Sequence, residues 1–178
     1  MKINLSGLMA ICLSVLMPPV SAIAGDPTEA RIAHAQSAAP SFISEHATIM
    51  ESDGTVLRQG SNGWTCMPDT MPGDNAPMCN DAVWMKLLGA VGAKADFKTD
   101  SVGISYMLQG DHGAGVSNSD PYHPDPKNAA DYIETGPHLM IAVPRELLEG
   151  MTDDPSSGGP FVMWKDTPYA HIMVPLAE

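Results

Sequence analysis

Two proline-bounded apolar runs late in the chain constrain its fold most. They read Pro137-His138-Leu139-Met140-Ile141-Ala142-Val143-Pro144 and Ala170-His171-Ile172-Met173-Val174-Pro175. Each places a His two residues before a Met inside an aliphatic run, and each reads as a strand. Successive strand side chains alternate faces, so each His shares a face with the Met two residues on, while the aliphatic residues take the other face. If the two strands are neighbours, two imidazoles and two thioethers converge on one face.

The rest of the sequence supports a mostly antiparallel sheet of about five or six strands with two or three packed helices, an α+β domain. Thr28 to Ala39 reads as a short helix ended by Pro40. Residues 47–50 and 55–58 flank Asp53-Gly54, a hairpin signal. The second arm is expected to run on, past an irregularity at Gly60 to Gly63, into Trp64-Thr65-Cys66. Asn80 or Asp81 can cap a well-buried helix reaching about Val91. Val102 to Leu108 alternates as a strand, Pro144 to Glu149 starts a short helix, and Phe161 to Trp164 and Tyr169 to Val174 read as the last strands. Residues 109–134 form a long polar connection, a length that marks either function or disorder.

The N-terminus carries the pattern of an export signal. Lys2 is followed by an apolar stretch from Leu5 to Val20 and by Ala22-Ile23-Ala24, which offers cleavage before Gly25. Pro18-Pro19 interrupts that stretch, so a transmembrane span is disfavoured, and bulky Ile11 before Cys12 argues against a lipoprotein site. The expected product is one globular domain of residues 25–178, periplasmic or secreted, with no membrane insertion after cleavage. Loss of Lys2 leaves eight basic residues against 21 acidic ones, a net charge of −13. So acidic a chain lacks the basic surface that nucleic acid or anionic lipid requires. Its partner is expected to be a small ligand or a metal ion. Of the three cysteines only Cys66 and Cys79 would survive cleavage, and in an oxidising compartment they are expected to form a disulfide.

Phrases along the mature chain resemble a group of small exported bacterial proteins of uncharacterised function. They are Asn62-Gly63-Trp64-Thr65-Cys66, Met78-Cys79, Tyr106-Met107-Leu108-Gln109-Gly110, Gly136-Pro137-His138, and Gly158-Gly159-Pro160 through Met173. The resemblance implies export and nothing about activity, cofactor or catalytic residues.

Three functional classes fit the residues. If the two strands are neighbours, His138, Met140, His171 and Met173 make a metal site. Neutral imidazole and thioether bind Cu(I) without losing a proton, and Met67, Met71 and Met78 of the cysteine loop could add thioethers. An enzyme would use His138 and His171 as acid or base with carboxylates of the long loop. A binding module without metal would line a pocket with Trp64, Trp84, Trp164, Tyr106 and Tyr169, and Asp111, His112 and His123 are its candidate loop ligands. Trp84 and Trp64 have a competing role in the core, the second beside the cysteine pair. Methionine also fills cores, and a buried His bonded to a carbonyl needs no ligand. The chain has no G-x-S-x-G, H-E-x-x-H, G-x-G-x-x-G or EF-hand pattern. The expected class is an exported soluble binding protein of unassigned activity, its ligand either copper through the two His-x-Met strands or a small molecule, with a periplasmic enzyme using His138 and His171 as the alternative.

Overall fold

Eight short strands form one mixed sheet in the computed structural model, which describes residues 26–176. In chain order they are β1 (Thr48–Met50), β2 (Val56–Arg58), β3 (Thr65–Met67), β4 (Met78–Asn80), β5 (Gly103–Met107), β8 (His138–Ala142), β9 (Phe161–Met163) and β10 (His171–Pro175). The remaining two, β6 (Val116–Ser117) and β7 (Tyr132–Ile133), pair as a separate ribbon inside the long connection. The main sheet runs β2-β1-β3-β4-β5-β8-β10-β9, antiparallel throughout except for the parallel pair β1–β3. Three helices, α1 (Pro27–Gln36), α2 (Ser41–Ser44) and α3 (Ala82–Ala93), complete an α+β architecture. The expected export signal and Cys12 lie outside the described residues. No described helix is long and apolar enough to cross a membrane.

The sheet has eight strands, not five or six, because two were not separable from their surroundings in sequence. Residues 65–67 do not continue β2. The chain doubles back at Gly60 and lays β3 along the other edge of β1, parallel to it. Only glycine permits that crossing: a Cβ at Gly60 would stand 2.2 Å from the backbone of Ala47 and Thr48. The second unforeseen strand, β4, pairs antiparallel with β3 and sets Cys79 directly opposite Cys66, and the two form the expected disulfide. The helix expected after Pro144 is a single tight turn, Arg145–Leu148.

Neighbouring residues of β3 and β4 point to opposite faces, and two cores follow. On one face Cys66 and Cys79 join Ile49 beneath Ile32, Ala35 and Ala38 of the α1 segment, with Trp64 and Tyr106 packed alongside. On the other face Met67 and Met78 join Trp84 and Leu87 of α3, together with Met107, Met140, Met163 and Met173. Asp81 fixes α3 on that side. One carboxylate oxygen accepts from the Val83 and Trp84 amides (2.9 and 2.8 Å), and the other accepts from the amide of Ile104 on β5 (2.8 Å). One side chain thus caps the helix and ties it to the strand beneath it.

Candidate functional site

The sheet buries the face that hydropathy alone would leave outward. His138, Met140 and Ala142 on β8, and His171 and Met173 on β10, are buried, while Leu139, Ile141, Ile172 and Val174 are only half-buried. The cause is the placement of the helices. Trp84 and Leu87 cover the His/Met face, whereas α1 covers the other face over β1, β3 and β4. The two His-x-Met strands are neighbours, and their register sets Met140 directly across from Met173. His138 lies across from Met107 of β5, and His171 across from Met163 of β9.

All six of these side chains line one cavity of about 100 Å³. Its floor is the sheet, with Met78 of β4 added. Trp84, Leu87 and Leu88 of α3 form one wall. Thr70 and Ala76 of the disulfide-closed loop, Asp111, Ala114 and Val116 of the long connection, and Trp164 after β9 complete it. Trp164 holds a left-handed backbone (φ 53°), a conformation that costs a bulky residue energy and persists only where its surroundings enforce it. Here its amide donates to the Asn118 carbonyl (2.8 Å) and its indole N–H to the Ser117 carbonyl (3.0 Å), which ties the β6 end of the ribbon to the cavity wall.

Both imidazoles are held the same way. His138 Nδ1 lies 2.7 Å from the Gly136 carbonyl oxygen, and His171 Nδ1 lies 2.9 Å from that of Tyr169. A carbonyl only accepts, so Nδ1 carries the proton in each ring and Nε2 keeps its lone pair. Among the described residues, His171 Nε2 is buried with no hydrogen-bond partner. Trp84 and Trp164 flank that ring edge-on, with centroids 5.1 and 5.2 Å away. Burial pushes the His171 imidazolium down to about 4, against the raising effect of its bond to Tyr169, and the nearby His138 charge lowers it further. Burial also lowers His138, partly offset by its bond to Gly136. Both rings are therefore neutral at pH 7, the form that binds a metal.

The loop candidates separate. Asp111 lines the cavity, where burial pushes its carboxyl up to about 6 despite a backbone hydrogen bond from Thr135. His112 is exposed and pairs with Glu134 (3.5 Å), and His123 accepts the Asp125 amide in a local turn (3.2 Å). Neither lines the cavity. Residues 109–134 are hydrogen-bonded into the fold, with Asp131 receiving the Ser117 hydroxyl (2.8 Å) and the Ser119 amide (2.8 Å). The Tyr122 hydroxyl reaches that of Tyr169 (2.8 Å), pinning the loop against the end of α3. Of the cysteine-loop methionines, Met78 lines the cavity, Met67 packs beside it and Met71 is exposed. Met107 and Met163 are the lining methionines that sequence reasoning passed over. Each stands on a short strand, and only the register reveals that it faces a histidine.

Among the described residues there is no group of three or more His, Cys, Asp or Glu side chains able to hold a metal ion. Metal binding in this cavity would therefore rest on thioethers. Comparison with known proteins finds no matching family model, curated protein or solved structure.

Proposed function

We propose that this chain is an exported binding protein for a soft monovalent metal, Cu(I), held in the cavity between α3 and the His/Met face of the sheet. The observation that carries the reading is the donor set. Two neutral imidazoles have their Nδ1 protons committed to backbone carbonyls, and they share one buried cavity with five methionines, Met78, Met107, Met140, Met163 and Met173. The thioethers favour a soft ion such as Cu(I) over hard divalent ions, imidazole accepts it as well, and neither ligand must lose a proton to bind. Asp111 is the carboxylate that lines the cavity, so a cationic guest would sit near a negative charge. The enzyme reading, which pairs the same two histidines with a long-loop carboxylate, has less support, since Asp111 is the loop carboxylate lining the cavity and its Oδ1 already accepts from the Thr135 amide (2.5 Å).

The test is an anaerobic Cu(I) competition titration of the oxidised protein against a chromophoric chelator, with Zn(II) as control. A Met140→Leu/Met173→Leu variant keeps side-chain volume and removes two thioethers. The expected result is tight Cu(I) binding, no comparable Zn(II) binding, and affinity lowered at least ten-fold in the variant. Failure of the wild-type protein to take Cu(I) from the chelator would refute the proposal.

A further inference from the structure

The register divides the cavity's donors into two groups. Met140 and Met173 are paired across β8 and β10, so the antiparallel strands carry His138 to one side of that pair and His171 to the other. Each histidine stands two residues from its strand's Met, so the two histidine levels are about 13 Å apart along the strands. Two nitrogens on one metal ion lie within about 4 Å of each other, given metal–imidazole bonds of about 2 Å. The two rings would reach one ion only by leaning toward each other along the strands.

Each histidine, however, has its own pair of thioethers. His138 has Met107 directly opposite on β5 and Met140 two residues along its strand. His171 has Met163 directly opposite on β9 and Met173 two residues along its strand. The two sets are related by an approximate two-fold axis through the Met140–Met173 pair, although the chain shows no duplication beyond the short phrases themselves. All six side chains line the same cavity, and the ring nitrogen of His171 left buried without a hydrogen-bond partner is the one its set would use.

We infer that the cavity takes two cuprous ions, one held by His138, Met107 and Met140 and the other by His171, Met163 and Met173, with the paired thioethers of Met140 and Met173 between them. This rests on the copper reading above. An imidazole and two thioethers make a three-coordinate set of the soft kind that Cu(I) accepts. Both ions are positive and share one cavity roughly 8–12 Å apart, as judged from strand rise and strand spacing together. Their repulsion should weaken the second binding step by roughly ten-fold or more.

The experiment is the same anaerobic titration carried to saturation, with bound copper counted per chain, on the wild type and on Met107→Leu and Met163→Leu. These variants lie in different sets and preserve side-chain volume, so folding is not the variable, and circular dichroism verifies it. The expected result is two equivalents in the wild type with stepwise affinities separated as above, and one site weakened in each variant while the other persists. A single equivalent in the wild type would overturn the two-ion inference and leave the copper reading standing. Two equivalents that both weaken in either variant would overturn the assignment of separate sets. No binding at all would overturn the copper reading and this inference together.

Discussion

Lowering the pH from about 7 to about 4.5 should destabilise the metal-free protein through His171, and a His171→Phe substitution should remove that part of the loss. The ring is fully buried, and its conjugate acid is held at about 4 against an ordinary value of 6.5. The folded state therefore binds fewer protons than the unfolded state between those values. The stability this represents is present above pH 6.5, declines as pH falls through that window, and is fully lost below about pH 4. At 1.36 kcal/mol per pH unit, the loss attributable to His171 reaches about 2 kcal/mol at pH 4.5. His138, also lowered by burial, adds in the same direction. Asp111 acts oppositely: its carboxyl, raised to about 6, makes the folded state the better proton binder between 3.8 and 6, so acid favours folding there. Because His138, Asp111 and the surface carboxylates are common to both proteins, they cancel in the comparison. The assay is urea unfolding of both proteins at both pH values with a Cu(I) chelator present, taking the difference of differences. Phenylalanine loses the bond to the Tyr169 carbonyl, so the variant starts lower at pH 7, but its further loss on acidification should be smaller by about 2 kcal/mol. Equal losses in the two proteins would refute the assignment of a buried, neutral His171.

Gly60→Ala should destabilise the protein by at least about 2–3 kcal/mol in urea unfolding, because its Cβ would meet backbone that cannot move aside without parting β1 from β3. Asp81→Ala removes three hydrogen bonds that cap α3 and bind it to β5, and should cost about 1–3 kcal/mol by the same assay; Asp81→Asn should recover part of this.

What could be read in the sequence, and what could not, follows element length. β5, β8 and β10 each have five residues, long enough for period-two alternation to show, and their position and side-chain parity were legible. β3 and β4 have three residues each and carry no period of their own. Pairing across the parallel β1–β3 edge is a long-range event, announced locally only by the glycine that permits it. The long connection was ambiguous because its order comes from partners outside it, such as the bonds from Trp164 to Ser117 and Asn118. The candidate site divides in the same way. That each His shares a face with a Met two residues on is a property of one strand and needs no fold. That His138 faces Met107 and His171 faces Met163 belongs to the strand order β5-β8-β10-β9, in which β10 lies between β8 and β9 although it follows both in the chain. The sequence suggested four ligands converging on one ion because parity was visible and register was not. Register adds Met107 to His138 and Met163 to His171, and a copper count per chain would test whether the two resulting sets each hold an ion.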